Sequence, residues 1–208
     1  MRLLIWLPLL WFLLCPEAAP ASNYVQKQCG PLVDPVRESH RATLGVDYPY
    51  WYSVSQAYAE SSCRWIVSRD GHGSVGYFQL TPKFLDPVLR APFPNYTVPN
   101  HPHHFYAVAY YMKILHNRQN PTDRLWITFQ LYNGGGWVLK ECRKAGSWDW
   151  EYCQVFCLRG KVCVERGPDG SCRKYRSACD INYDYSRKIF VYGQAFRPEN
   201  ETDQWRFW

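Results

Sequence analysis

Apolar residues recur at helical intervals along several segments of this chain. Trp51, Val54 and Tyr58 have this spacing, which predicts a partly buried helix around them. The strongest pattern lies further on, in FYAVAYYMKILHNR, where apolar and aromatic side chains fall on one helical face. We predict helices over 50–64, 82–90, 105–118, 123–132 and 182–196.

Other segments lack this periodicity. Segment 91–102 contains four prolines, which do not fit inside a helix or a central strand, so we expect a loop there. Segment 22–48 has few periodic apolar positions, and we expect a lead-in segment anchored by Cys29. Segment 197–208 is expected to be loosely ordered. Thr122 is the predicted N-cap of the helix over 123–132.

A cysteine-rich segment, 141–180, interrupts the helical pattern. Pro168-Asp169-Gly170 is typical of a turn, and the β-prone residues of 161–165 precede it. We therefore expect a small disulfide-bonded hairpin inserted in a helical domain. A zinc site is disfavoured, because the spacing of Cys153 and Cys157 is not matched by a second pair of cysteines that could complete the four ligands.

The N-terminal residues are typical of an export signal. Arg2 precedes an apolar run over 3–14, and Ala19-Pro20-Ala21 resembles a signal-peptidase site. The run is shorter than the roughly 20 apolar residues that span a bilayer. We predict a signal peptide over 1–21 and one domain over 22–208, with no lasting membrane anchor. An uncleaved anchor and a lipoprotein processed at Cys15 are the alternatives.

The number of cysteines agrees with export to the periplasm or the extracellular space. Nine cysteines are present, and removal of the signal peptide with Cys15 leaves an even number. Such a set in an exported chain predicts four disulfides, whose pairing the sequence does not determine. The members are Cys29, Cys63, Cys142, Cys153, Cys157, Cys163, Cys172 and Cys179.

The formal net charge of +6 narrows the range of partners only slightly. A basic exported protein suits an anionic polymer such as peptidoglycan, whose stem peptides carry free carboxylates. Simple solubility explains the same charge. Nucleic acid is a poorer fit, since the basic residues are scattered along the chain.

The segment 55–82 holds the candidate chemistry. Glu60 lies near the end of a predicted helix, beside Tyr58 and Trp65, where loss of water would raise its carboxyl pKa. Such a group is a usable general acid near neutral pH. Gly76 allows a sharp turn, and the amide of Gln79 offers a donor and an acceptor for a sugar.

Three motifs in this order resemble the catalytic core of lytic transglycosylases that have a lysozyme-like fold. They are Glu60-Ser61, Gly76-Tyr77-Phe78-Gln79 and Tyr132-Asn133-Gly134-Gly135. Each motif alone is weak, but their order and spacing make a specific set. The resemblance covers about 48–137 and excludes the cysteine-rich segment. It implies a mainly α (α+β) lysozyme-like domain with the hairpin as an insertion.

The resemblance also implies an activity. Glu60 would act as acid and then base, cleaving the bond between N-acetylmuramic acid and N-acetylglucosamine in peptidoglycan glycan strands. The substrate-binding residues would be Ser61, Gly76, Gln79, Tyr132 and Asn133. Tyr185 would join them, since 185–192 is similar to the tyrosine-bearing last helix of the family. We expect a monomer with no cofactor and no metal.

Two alternatives to this activity stay open at this point. Asp70 would be the second carboxylate of a hydrolase, because goose-type lysozymes of this fold carry an Asp in a similar place; a turn residue is its simpler interpretation. A different class is a secreted module that binds peptidoglycan or a protein without turnover. His101, His103 and His104 are read as a solvated loop rather than a metal cluster.

Overall fold

Most of the described chain is helical. The computed structural model describes residues 18–68, 73–90, 92, 101–201 and 204–208. The helices are α1 (Ala18–Cys29), α2 (Val33–Leu44), α3 (Tyr50–Ser61), α4 (Pro82–Leu89), α5 (His101–Ile114), α6 (Leu125–Gly134), α7 (Trp137–Ala145), α8 (Trp150–Val155) and α9 (Ala178–Gly193). A π-helical turn, Leu115–Gln119, continues α5, and 3-10 turns occupy Gly30–Leu32 and Gln194–Phe196.

A single hairpin supplies the strands of the described residues, β1 (Lys161–Arg166) and β2 (Cys172–Ser177). The two strands pair antiparallel, with Lys161 opposite Ser177 and a register shift after Cys163. The predicted mainly α class with a disulfide-bonded hairpin is therefore confirmed. None of the described helices is both long and apolar enough to cross a bilayer.

Helices α3 and α6 form the centre of the core. Every residue from Tyr50 to Ala57 is buried, and so is every residue from Leu125 to Leu131. Helix α9 packs against both. Its approach to α3 is close, since a Cβ atom on Gly193 would lie 2.7 Å from Cδ1 of Tyr52. The helix predicted over 50–64 is thus more deeply buried than its amphipathic pattern indicated.

The expectation of an irregular lead-in over 22–48 was wrong. Helices α1 and α2 occupy most of this segment, and its prolines lie in first helical turns, where a missing N–H group costs little. The helical period was present in the sequence and was overlooked, because Val25, Cys29, Leu32 and Val36 recur at intervals of four, three and four positions. Between residues 23 and 44, the buried positions are Val25, Cys29, Leu32, Val36, Ser39 and His40.

The tail over 197–208 is also more ordered than expected in its described part. The N–H groups of Leu125 and Trp126 donate to the carbonyls of Arg206 and Phe207. These donors begin α6, so they have no acceptor within the helix and need one from outside. Phe207 is buried, with its ring centroid 4.5 Å from that of Tyr52. The tail thus completes both the hydrogen bonding and the core.

Two helices begin at residues other than those predicted from the sequence. Helix α6 begins at Leu125 with Arg124 as its N-cap residue; Thr122 instead accepts a hydrogen bond from the N–H of Arg124 within the preceding turn. Helix α5 begins at His101, inside the segment predicted as loop, because proline is tolerated in a first helical turn. Residues 91 and 93–100 lie outside the described residues.

The cysteine-rich segment is only partly a hairpin. Its first part continues α7 and includes α8, because Val138, Glu141 and Cys142 form a buried helical face. The predicted four disulfides are confirmed, and they pair Cys29 with Cys63, Cys142 with Cys153, Cys157 with Cys179, and Cys163 with Cys172. The last of these closes the hairpin, whose side chains are mostly exposed.

Truncation of Phe207 tests the structural role of the tail. Phe207→Ala should lower the free energy of unfolding by about 3–5 kcal/mol, because a buried ring leaves a cavity. Urea denaturation with the disulfides intact measures this change. Val191→Ala, on the half-exposed face of α9, is the control and should cost under about 1 kcal/mol. Equal, small effects would mean that the tail is not part of the core.

Candidate active site

Glu60 lies in the last turn of α3, and the end of that helix is firmly fixed. Ser62 and Cys63 both adopt left-handed backbone conformations, with φ of 54° and 56°. The N–H of Ser62 donates to the carbonyl of Tyr58, and the disulfide of Cys63 reaches Cys29 at the end of α1. These constraints set the direction of the Glu60 side chain.

The Glu60 carboxyl is partly exposed and has one close hydrogen-bond donor. The hydroxyl of Tyr185 donates to its Oε1 atom at 2.5 Å. Burial raises the pKa of Glu60 to about 7, although the Tyr185 hydrogen bond acts in the opposite direction. A carboxyl with this pKa exists in both protonation states near neutral pH, as a residue that acts as acid and then as base requires.

Tyr185 reaches Glu60 from α9. Burial is the largest cause that raises its pKa well above the ordinary value, and the Glu60 charge acts in the same direction. The hydroxyl therefore keeps its proton and remains a donor to Glu60. The sequence placed Tyr185 among the substrate-binding residues, and the structure places it against the candidate catalytic carboxyl.

The loop after α3 folds back on itself through short backbone pairings. Val75 forms isolated bridges with Val67 and with Leu80. Gly76 has a φ of 85°, and a Cβ atom there would lie 2.4 Å from the ring of His104, so the turn requires glycine. Gln79 is also left-handed, with a φ of 51°. Its Nε2 atom donates to the carbonyls at both sides of the turn, Ile66 at 3.1 Å and Gly76 at 2.8 Å.

Three side chains attach this loop to the helices. The Ser61 hydroxyl donates to the carbonyl of Tyr77 at 2.8 Å, and the Tyr132 hydroxyl donates to the carbonyl of Phe78 at 2.6 Å. Nε2 of His104 accepts from the N–H of Phe78 at 3.3 Å. His104 is buried in α5, so its expected place in a solvated loop was wrong; its neighbours in the ring cluster are aromatic.

Asn133 ends up beside Glu60 because α6 and α9 meet closely. Its Nδ2 atom donates to Oδ1 of Asn182 on α9 at 2.9 Å. Gly134 makes this contact possible, since a Cβ atom there would lie 2.2 Å from the same Oδ1 atom. Each residue of the Tyr132-Asn133-Gly134 motif therefore has a specific contact in the structure. Tyr132 binds the carbonyl of Phe78, Asn133 binds Asn182, and Gly134 leaves room for the Asn182 side chain.

Two adjoining cavities form a groove that passes Glu60. Glu60 and Asn133 line both cavities. The first, of about 370 Å³, is termed the neutral half; its other lining residues are Ser68, Ser74, Gln79, Thr81 and Tyr132. The second, of about 400 Å³, is termed the basic half; its other lining residues are Tyr58, Ala59, Ser62, Arg176, Ile181, Tyr185, Lys188 and Tyr192.

The structure thus brings most of the predicted site residues to one groove. Gln79, Tyr132, Asn133 and Tyr185 line it together with Glu60, whereas Ser61 and Gly76 lie behind it and hold the loop. Asp70 lies outside the described residues. Among those that are described, Glu60 is the carboxyl group lining the groove. The same part of the chain has no cluster of three metal-ligating side chains.

Of the residues that line only the basic half, sequence reasoning named Tyr185 as a site residue and missed the others. Four residues of the basic half lie on α9 at intervals of four, three and four positions, a spacing from which the sequence could have predicted one helical face. They are Ile181, Tyr185, Lys188 and Tyr192. Arg176 gave no such signal, because it belongs to an exposed hairpin strand that only the folded chain brings to the groove.

No protein-family model, curated protein or solved structure matches the chain.

The raised pKa of Glu60 predicts a pH-dependent stability. The folded protein holds the Glu60 proton more tightly than the unfolded chain, in which the carboxyl has a pKa of 4.5. Protonation of Glu60 therefore contributes fully to the free energy of unfolding below about pH 4.5. This contribution is lost as the pH rises through about 7. The free energy of unfolding, relative to Glu60→Gln, should fall by about 3 kcal/mol between about pH 4.5 and about pH 8. Urea denaturation across this range measures the difference.

Glu165→Gln on the exposed strand β1 is the matched control. Its stability should follow that of the wild-type protein across the same pH range. A difference between wild type and Glu60→Gln that does not change with pH would contradict the raised pKa.

Proposed function

We propose that this protein is a peptidoglycan lytic transglycosylase with a lysozyme-like helical fold and Glu60 as its acid and base. The observation that carries the proposal is the placement of Glu60: its carboxyl accepts a hydrogen bond from Tyr185 and lines both halves of a groove. Burial there raises its pKa to about 7, and strongly perturbed pKa values cluster at functional sites.

The proposed reaction uses Glu60 twice. The protonated carboxyl donates its proton to the glycosidic oxygen, and the bond from that oxygen to C1 of N-acetylmuramic acid breaks. The resulting carboxylate then accepts the proton of the C6 hydroxyl, whose oxygen bonds to C1. The products are a new chain end and a 1,6-anhydro sugar, and no water is consumed.

One carboxyl group suffices for this chemistry, because the nucleophile is part of the substrate and attacks at high effective concentration. An inverting hydrolase instead needs a second carboxylate to activate water. Glu60 is the carboxyl that the described residues supply to the groove, and Asp70, the candidate second carboxylate, lies outside them. The resemblance in the three motifs is what favours the transglycosylase over the lysozyme.

The lining of the neutral half also suits a sugar. Among the described residues other than Glu60, this wall consists of hydroxyl and amide groups. They belong to Ser68, Ser74, Thr81, Gln79 and Asn133. Hydroxyl and amide groups both donate and accept hydrogen bonds, as sugar hydroxyls and N-acetyl groups do. The cavity of about 370 Å³ falls within the usual size range of small-molecule sites.

Muropeptide analysis tests the proposal. The wild-type protein, incubated with purified peptidoglycan, should release products lighter by one water than hydrolysed muropeptides, as mass spectrometry would show. Glu60→Gln should slow release by about 10²–10⁴-fold, because the amide cannot transfer the proton. Glu165→Gln should retain the wild-type rate, and circular dichroism should show both variants folded.

Full-mass products with reducing ends would contradict the transglycosylase and make the protein a lysozyme, with Asp70→Asn as the next variant. No release by the wild-type protein would favour a binding module. Retained activity in Glu60→Gln would remove Glu60 from the mechanism.

A further inference from the structure

The two halves of the groove differ in charge. Apart from Glu60, the described residues that line the neutral half carry hydroxyl and amide side chains. The basic half adds the guanidinium of Arg176 and the ammonium of Lys188. Among the described residues, a glycan that passes Glu60 therefore meets cations on one side of the scissile bond and uncharged groups on the other.

The charge of Arg176 is only partly neutralised inside the protein. One of its guanidinium nitrogens lies 3.5 Å from Oδ2 of Asp184. The same carboxylate also binds Arg187, whose Nη2 atom lies 3.1 Å from Oδ1. One negative charge is thus shared between two guanidinium groups, which leaves a net positive charge at the edge of the groove. The Arg176 side chain is 40% exposed, so it can contact a ligand.

Lys188 adds a second cation on the same wall. It follows Tyr185 by one helical turn of α9 and is exposed. Among the described residues, no carboxylate lies within ion-pair distance of its ammonium group. An anionic ligand would therefore not need to displace an existing partner of Lys188.

The hairpin holds Arg176 in a defined position. Strand β2 leads directly into α9, and the Cys157–Cys179 disulfide fixes the first turn of that helix. The N–H of Ala178 donates to the carbonyl of Gly160, next to the first residue of β1. Arg176 thus lies at a fixed junction between β2 and α9 and not at the tip of the hairpin. Because its backbone is already ordered, little conformational entropy is lost when it binds a ligand.

Two tyrosines give the basic half a surface for a sugar ring. The rings of Tyr58 and Tyr192 meet edge to face with their centroids 5.2 Å apart, and both line the cavity. An aromatic wall beside two cations suits a sugar that carries an acidic substituent.

We propose that Arg176 and Lys188 bind carboxylates carried by the glycan, and that this contact selects peptide-bearing peptidoglycan over neutral polymers of N-acetylglucosamine. The inference rests on the proposed function and extends it. The peptide-bearing N-acetylmuramic acid occupies the basic half, where the carboxylates of its stem peptide reach the two cations. The neutral N-acetylglucosamine occupies the other half. Arg176 and Lys188 are positioning and specificity-determining residues.

A binding experiment with an inactive protein separates this inference from turnover. Glu60→Gln is sedimented with purified sacculi, and with the same sacculi after carbodiimide coupling to ethanolamine, which converts their carboxylates to neutral amides. We expect amidation to weaken the apparent binding of Glu60→Gln by about tenfold, since two charge contacts are lost. Added salt should reduce the difference, because these cations are exposed.

The variants assign the effect to the two cations. Arg176→Gln with Lys188→Gln, in the Glu60→Gln background, should bind native and amidated sacculi equally. Lys113→Gln, an exposed position on α5 outside the groove, should keep the tenfold preference. These results are independent of catalysis, so a failure of the muropeptide experiment would not alter them.

Three results would overturn the inference. Equal binding of Glu60→Gln to native and amidated sacculi would show that carboxylates are not recognised. A preference that persists in the double variant would place the recognition elsewhere. A loss of affinity for both kinds of sacculi, with the preference unchanged in ratio, would show that the two residues act only on the fold.

Discussion

The packing of α9 against α3 sets the distance between Tyr185 and Glu60, and much of the site depends on that distance. Gly193 permits the approach, because any side chain there would meet Tyr52. The buried tail residue Phe207 packs on the same tyrosine and closes the core from the other side. With α9 in place, the Tyr185 hydroxyl reaches the Glu60 carboxyl and displaces water that would otherwise solvate it.

The same packing brings the two halves of the groove together. Ser68, Ser74 and Gln79 from the loop after α3 line the neutral half. This loop is attached to the helices through the carbonyls of Tyr77 and Phe78. Strand β2 and α9 form the basic half, in which Arg176 faces the cavity. In the described part of the chain, the partly desolvated Glu60 carboxyl lies between a wall of hydroxyl and amide groups and a cationic, aromatic wall. This arrangement supports the proposed binding of a glycan whose sugars differ in charge.

The sequence was informative where residues act through local geometry. Local sequence patterns indicated three features that depend on neighbours in the chain. They are the helix that carries Glu60, the turn at Gly76 and the position of Asn133 at the end of a helix. The sequence was least informative where burial depends on distant partners. His40 is a buried polar residue within a helical stripe, and Phe207 is ordered by the unpaired N–H groups that begin α6. Arg176 reaches the groove from a hairpin whose junction with α9 is held by the Cys157–Cys179 disulfide and a backbone hydrogen bond, neither of which the local sequence indicates.

Direct titration of Glu60 tests whether burial makes this carboxyl an acid near neutral pH. In ¹³C NMR spectra of the labelled protein, the side-chain carboxyl resonance that disappears in Glu60→Gln is assigned to Glu60 and followed with pH. We predict a midpoint near 7, well above the ordinary 4.5. A midpoint near the ordinary value would show that Glu60 is a carboxylate with no proton to donate, and the proposed acid would be wrong.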